Sequence, residues 1–326
     1  MENVQSQTSR AKNRAWLILL LSVLTGAVTA IFPVGLLLAP ALWAYAGART
    51  KPVWIALPAG VYAALALSLY GIEAALGLLL SAAAVAFALY FMQTRKVSNT
   101  YTALTLAGLF LAGLYCAVCL PGILSGAGAF AQAQTAIDEM IALYRAAASQ
   151  LSGINEEYLT FIYSYLDAFS EAVPSFIVAS LCAGAGILGL GNLLFFRLFC
   201  RKRAEIAISP MREFRLWTMP RSMMLGLFAL LIGSLVLEWA GWTFADSMSS
   251  TVNVLVGMPL LLQGLCVLDF FVARSAQRVS AKRAVTYVLV GILFGLLQTP
   301  LILLGCAEQI FRIRERMQQL PSKPAF

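Results

Sequence analysis

Val173–Cys200 reads VPSFIVASLCAGAGILGLGNLLFFRLFC, Arg201–Pro220 reads RKRAEIAISPMREFRLWTMP, and Arg221–Ala240 reads RSMMLGLFALLIGSLVLEWA. Two apolar runs flank a polar joint. A helix needs about 20 apolar residues to cross about 30 Å of hydrocarbon, and each run is long enough. Arg197, Arg201, Lys202, Arg203, Arg212, Arg215 and Arg221 crowd the joint. Cytoplasmic loops carry the excess of Lys and Arg, so the joint is expected in the cytoplasm. The rest of the topology is counted outward from this hairpin.

Composition supports the same class. The chain is 60% hydrophobic and 12% charged, with a mean hydropathy of +0.82. Soluble domains carry about 25% charged residues, so an ordinary soluble enzyme is excluded. The net charge of +8 does not indicate nucleic acid, because the basic residues sit in short segments between apolar runs. There they orient helices. The expected partner is the lipid bilayer of the cell membrane. There is no histidine, which removes His metal ligands, His proton transfer and Ser-His triads. The six cysteines lie in or beside apolar runs, where thiols act as small hydrophobes. No disulfide framework, metal or cofactor is expected. Cys116-Ala-Val-Cys119 is read as helix packing, since no second pair accompanies it for zinc.

The expected fold is all-α, a polytopic transmembrane helical bundle of about nine spans, within eight to ten. Residues 1–14 form a cytoplasmic N-terminal tail. Residues 15–124 form N-terminal membrane helices, with spans at 15–32, 34–48, 53–70, 72–92 and 101–124. Pro33, Pro40 and Tyr70-Gly71 mark the breaks. Residues 125–172 carry Asp138, Glu139, Glu156, Glu157, Asp167 and Glu171 against Arg145 alone. Ile137, Met140, Ile141 and Tyr144 follow helical spacing, as do Tyr158, Phe161, Ile162, Tyr165 and Phe169. That predicts an extracytoplasmic amphipathic helical hairpin, lying on or capping the bundle. Residues 173–311 form C-terminal membrane helices, and 312–326 a polar tail. The run 284–311 poses a conflict. Its length makes one span and leaves the basic tail outside. Charge places the tail inside, which requires a helix broken at Pro300.

Pro174, Asn192, Arg197, Phe214-Arg215-Leu216-Trp217 and Pro220-Arg221 form a recognisable pattern with Leu262-Gln263-Gly264-Leu265, Leu304-Gly305 and Phe311-Arg312. It resembles the YybS-type family of bacterial multi-pass membrane proteins, a domain of unknown function. The resemblance is clearest over 173–316 and looser over 15–124. That family is grouped remotely with the substrate-binding S subunits of energy-coupling-factor transporters. The resemblance implies a membrane bundle that binds a small molecule and docks partner subunits. It carries no ligand motif.

Polar residues inside the spans supply the candidate sites, because intramembrane polar groups are costly and tend to face a cavity or a partner. Gln263, Gln298, Asn253 and Asp269 are the ligand-binding candidates. Gln263 and Gln298 stand beside Gly264 and Pro300, which loosen helices. The bland reading gives Asp269 to Arg274 as an ion pair and the amides to interhelical bonds. Arg212, Arg215, Trp217 and Arg221 are the candidates for partner or lipid contact, since interfacial arginines meet anionic headgroups. No catalytic cluster and no phosphate-binding loop is present, so no enzyme is expected. Any ATPase belongs to another chain among the transporter partner subunits. The expected function is a small-molecule-binding membrane subunit of a transporter. The alternative is a non-transport membrane scaffold or assembly factor.

Overall fold

A computed structural model describes residues 2–149, 156–201, 213–242, 245–274 and 279–319. The described residues are helical throughout their regular parts. The chain folds as two compact units, Met1–Pro210 and Met211–Phe326.

Among the described residues, six helices are long and apolar enough to cross a membrane: Pro52–Thr94, Asn99–Leu124, Phe176–Cys200, Arg221–Trp239, Met248–Ala273 and Phe294–Phe311. Trp16–Ile31 is a shorter apolar helix. Large apolar side chains cover their outer faces. Leu20 is 66% exposed, Leu225 70% and Ile232 62%. In water such a surface would drive association; in lipid it is the solvent-facing side.

In the first unit, α1 (Glu2–Ile31) ends before a 3-10 turn at Pro33–Leu37, and α2 (Ala39–Arg49) follows. The prolines explain the break, because each removes a backbone N–H donor. The expected span at 34–48 is therefore a turn plus 11 helical residues, about 16 Å of helix. Most of α2 is buried, including Trp43 and Tyr45. The Trp43 indole N–H donates to the Ser22 carbonyl at 3.1 Å, and its ring lies 5.8 Å from Tyr62.

The 43-residue run from Pro52 to Thr94 is too long for one crossing. It contains α3 (Ala56–Leu79), a wider turn at Leu80–Ala84 and α4 (Val85–Thr94). Gly71 sits at φ +78°, ψ 171°, a conformation only glycine adopts without strain. The run folds back there, since Pro52–Ile55 contacts α4. This is the expected break at Tyr70-Gly71. α1 and the first half of α3 run in the same direction, with Trp16 near Trp54 and Tyr70 bonded to the Ala30 carbonyl. The 33–49 segment makes the return between them.

α5 (Asn99–Leu124) packs antiparallel to this second leg, and α7 (Glu156–Cys200) antiparallel to α5. Close backbone approach requires glycine at these crossings. A Cβ on Gly77 would lie 2.3 Å from the Ala117 nitrogen, and one on Gly189 2.7 Å from the Ala107 nitrogen. Arg197 donates to Gln93 Oε1 at 3.2 Å and to Asn99 Oδ1 at 2.7 Å. Those bonds set the Arg95, Lys96 and Arg197 ends of α4, α5 and α7 together. α6 (Ala131–Ser149) pairs with the start of α7 at the opposite end. No break separates the hairpin from the span at 172–173; α7 is one helix of 45 residues.

In the second unit, a 3-10 turn at Phe214–Leu216 precedes α8 (Arg221–Trp239) and α9 (Ala245–Arg274). α10 (Val279–Ile292), α11 (Phe294–Phe311) and α12 (Ile313–Gln319) complete it. The run 284–311 is not one span. It breaks at Leu293 (φ −98°, ψ 21°), whereas Pro300 lies inside α11. α9 and α11 touch backbone to backbone: a Cβ on Gly305 would lie 2.0 Å from the Leu260 oxygen, and one on Gly264 2.0 Å from the Leu301 oxygen. Gly264 thus makes room for a neighbouring helix rather than loosening its own.

Candidate functional site

The polar joint is extended between its 3-10 turn and α8, so its backbone groups have no helix to bond to. Buried polar backbone requires partners. Two side chains from elsewhere in the unit supply them. Gln263, on α9 and 3% exposed, accepts the Met219 N–H at 3.2 Å and donates to the Trp217 carbonyl at 3.4 Å. Arg314, on α12 and 3% exposed, donates to the Trp217 carbonyl at 2.9 Å and the Arg215 carbonyl at 2.6 Å. Its charge is balanced by Glu308 on α11, with Nε 2.8 Å from Oε1. Glu308 Oε2 also accepts the Arg314 backbone N–H at 3.2 Å.

Arg312 makes this possible. It caps α11 in the left-handed region at φ +49°, ψ 52°, which reverses the chain and returns Arg314 toward Glu308. The start of the tail therefore lies at the end of this unit that carries Arg215, Arg221 and Arg283.

Asp269 is held by Arg283 of α10, and the side chain of Arg274, its expected partner, lies outside the described residues. Arg283 Nε lies 2.6 Å from Oδ1, and Nη2 meets Oδ2. The two-pronged geometry suits a guanidinium and a carboxylate. α10 folds back across α9 and presents Arg283 to the carboxylate.

The candidates thus divide. Gln263 and Asp269 are buried and engaged with protein groups. Asn253 and Gln298 are exposed on the apolar helices α9 and α11. Trp217 is half-buried, its ring 5.3 Å from Phe214. Arg215 is half-buried and pairs with Glu213 at 2.5 Å. Arg221 is exposed at the start of α8, and Leu216, Thr218 and Pro220 are exposed beside it. Arg212 lies outside the described residues. Among the described residues, no group of three or more His, Cys, Asp or Glu is placed to hold a metal ion.

Residues 16–307 match the family model described as "Predicted membrane protein (DUF2232)". The chain belongs to this family. No curated protein gives a significant match, and no solved structure does. The family match ends at 307, so Gln263 and Trp217 lie inside it while Glu308 and Arg314 lie just beyond.

Sequence reasoning singled out Gln263 and Trp217 but missed Glu308 and Arg314. The available signal was a carboxylate near the end of an apolar run, followed by a basic tail. Sequence reasoning named Asn192 as part of the family pattern and gave it no bonding role. Asn192, fully buried, donates to the Leu36 carbonyl at 2.8 Å and accepts the Ala41 N–H at 2.9 Å. It thereby satisfies the backbone groups released by the break before α2. The signal was the pair Pro33 and Pro40, which frees backbone groups that a later polar side chain must meet.

Proposed function

We propose that this protein is a non-enzymatic, multi-pass subunit of the cytoplasmic membrane that docks a partner chain through its basic joint. One observation carries this. The Arg215–Met219 backbone is pinned from below by Gln263 and Arg314, while Leu216, Thr218 and Arg221 remain exposed. A loop already fixed in one conformation loses less entropy on binding. The resemblance to YybS-type proteins, and through them to transporter S subunits, fits partner subunits that include an ATPase on another chain.

The positive-inside rule, applied to each unit separately, gives the topology. It puts the N-terminus, the Arg49–Lys51 and Arg95–Lys96 turns and the joint in the cytoplasm. The acidic α6–α7 hairpin is then extracytoplasmic. Arg314 bonds to the joint, so a cytoplasmic joint puts the start of the tail on the same side, which favours an even number of crossings over the expected nine. The test is co-purification from membranes, comparing the native chain with Arg215→Glu/Arg221→Glu. Loss of a stoichiometric partner from an inserted, folded variant supports docking. An unchanged set of partners leaves the joint as a topological anchor only.

A second reading is small-molecule binding, favoured by the exposed amides of Asn253 and Gln298 on apolar helices. An amide facing hydrocarbon is expensive, so such positions suit a ligand. Mass spectrometry of small molecules released from the purified protein tests it. A metabolite retained by the native chain and lost from Asn253→Leu or Gln298→Leu, with unchanged thermal stability, supports this reading. Retention by both variants and by Gln263→Leu removes these amides as contacts.

A further inference from the structure

Arg49, Lys51, Arg95, Lys96, Arg197 and Arg201 lie at one end of the first unit. Arg197 joins the ends of α4, α5 and α7 through Gln93 and Asn99, and Arg95, Lys96 and Arg201 adjoin those ends. Gln93 and Asn99 are neutral, so these bonds position the guanidinium without cancelling its charge. α2 runs beside α7 in the same direction: the Ala41 N–H donates to Asn192, and the Tyr45 ring lies 5.8 Å from Phe199. That brings Arg49 and Lys51 to the same end. Among the described residues of this unit, no carboxylate stands with them. Glu73 follows the fold-back at Gly71, and the acidic residues of the α6–α7 hairpin are also at that opposite end. Glu2, at the start of α1, stands about 21 Å from Trp16 along the helix.

The side chains around this end are layered as a bilayer is. Leu20, Leu57 and Leu104 are exposed on α1, α3 and α5. About one turn nearer the end stand Trp16, Trp54 and Tyr101, also exposed, with the two indoles 6.3 Å apart. Beyond them come Lys51, Arg95 and Lys96, all exposed. Hydrocarbon, aromatic belt and headgroup phosphate follow in that order in a membrane. Lys96 holds its place against a backbone preference. It sits at φ +57° in the turn that closes α4, where the Val97 N–H donates to the Met92 carbonyl at 2.9 Å. Helices that end this way usually carry glycine at that position; this one carries a cation.

We propose that this end of the first unit binds anionic phospholipid, with Lys51, Arg95 and Lys96 meeting the headgroup phosphates. Charge and depth together favour this occupant. The cations project just beyond an aromatic belt, at the level where lipid phosphates lie, and cations at that level attract anionic lipids. An acidic protein requires the charge but not the layering. The proposal concerns the first unit alone and is independent of docking at the joint.

The test uses the full chain in phosphatidylcholine nanodiscs with or without phosphatidylglycerol, and reads amide hydrogen exchange across residues 94–101. Exchange in the native chain is expected to be several-fold slower with phosphatidylglycerol. Lys51→Gln/Arg95→Gln/Lys96→Gly loses that difference. Lys96→Gly alone suits the turn, so it loses part of the difference while its thermal midpoint in phosphatidylcholine stays at or above that of the native chain. Equal exchange of the native chain in the two lipids overturns the proposal and leaves the cations for an acidic protein. A difference retained in full by both variants also overturns it. Glycerol 3-phosphate added to phosphatidylcholine nanodiscs separates the sources of phosphate. It is expected to give no protection; protection by it equal to that of phosphatidylglycerol assigns the site to a free phosphate ester and overturns the lipid assignment.

Discussion

Glu308 and Arg314 face each other at 2.8 Å across the left-handed turn at Arg312, with 5% and 3% of their surfaces exposed. The pair does more than neutralise itself. Its arginine spends two further donors on the carbonyls of Arg215 and Trp217, so the end of the chain holds the joint that precedes α8.

Arg314→Met leaves Glu308 buried without its cation, removes the Arg215 carbonyl's bond to Arg314, and leaves the Trp217 carbonyl with Gln263. Breaking a buried pair costs about 3–5 kcal/mol. A marked drop in the thermal midpoint of the detergent-solubilised protein is expected. Glu308→Leu/Arg314→Met, which removes both charges, recovers part of the loss. A double variant no more stable than the single one would sink this account.

Asn192→Leu removes the donor to Leu36 and the acceptor for Ala41. Each orphaned buried backbone group costs about 1–3 kcal/mol. The first unit is destabilised, and hydrogen exchange at the Ala41 amide rises. An unprotected Ala41 amide already present in the native chain would refute the capping role.

Gly305→Ala places a Cβ about 2.0 Å from the Leu260 oxygen, which no rotamer relieves. Overpacking of this kind costs about 1–3 kcal/mol, and backbone contact puts it at the upper end. Gly257→Ala is the comparison, since its Cβ meets only Ile302 Cδ1 at 3.7 Å, an ordinary contact. The first variant melts lower and the second near the native temperature. Equal melting would show that α9 and α11 do not cross so closely.

Cysteines at Glu139 and Glu315, both exposed, report the sides of the membrane. An impermeant thiol reagent on cells stripped of outer barriers labels the first and not the second. Labelling of the second only after lysis completes the result. The reverse pattern inverts the topology.

The helical class and the break at Gly71 were legible because apolar length and a glycine between two runs are local signals. The α6–α7 hairpin was legible from the spacing of Tyr158, Phe161 and Tyr165. The break at Leu293 was not. Nothing in that residue type disfavours a helix, and Pro300, the obvious breaker, is absorbed within α11. The bonding of Gln263 was legible only as a need for a partner. Which partner depended on the extended backbone at Trp217 and Met219, 46 and 44 residues earlier, meeting α9, a long-range event without a sequence pattern. The Arg283 partner of Asp269 was hidden for the same reason, since it comes from another helix.

Asn192 also bears on how the chain is made. It reaches back 151 residues to Ala41, so α2 leaves the ribosome long before the amide that completes it. Until α7 is synthesised, the broken segment before α2 has open backbone groups that lipid does not tolerate. Those groups need water or another polar partner until Asn192 arrives. Membrane entry of the early helices is then provisional, and α7 is the piece whose arrival makes it permanent.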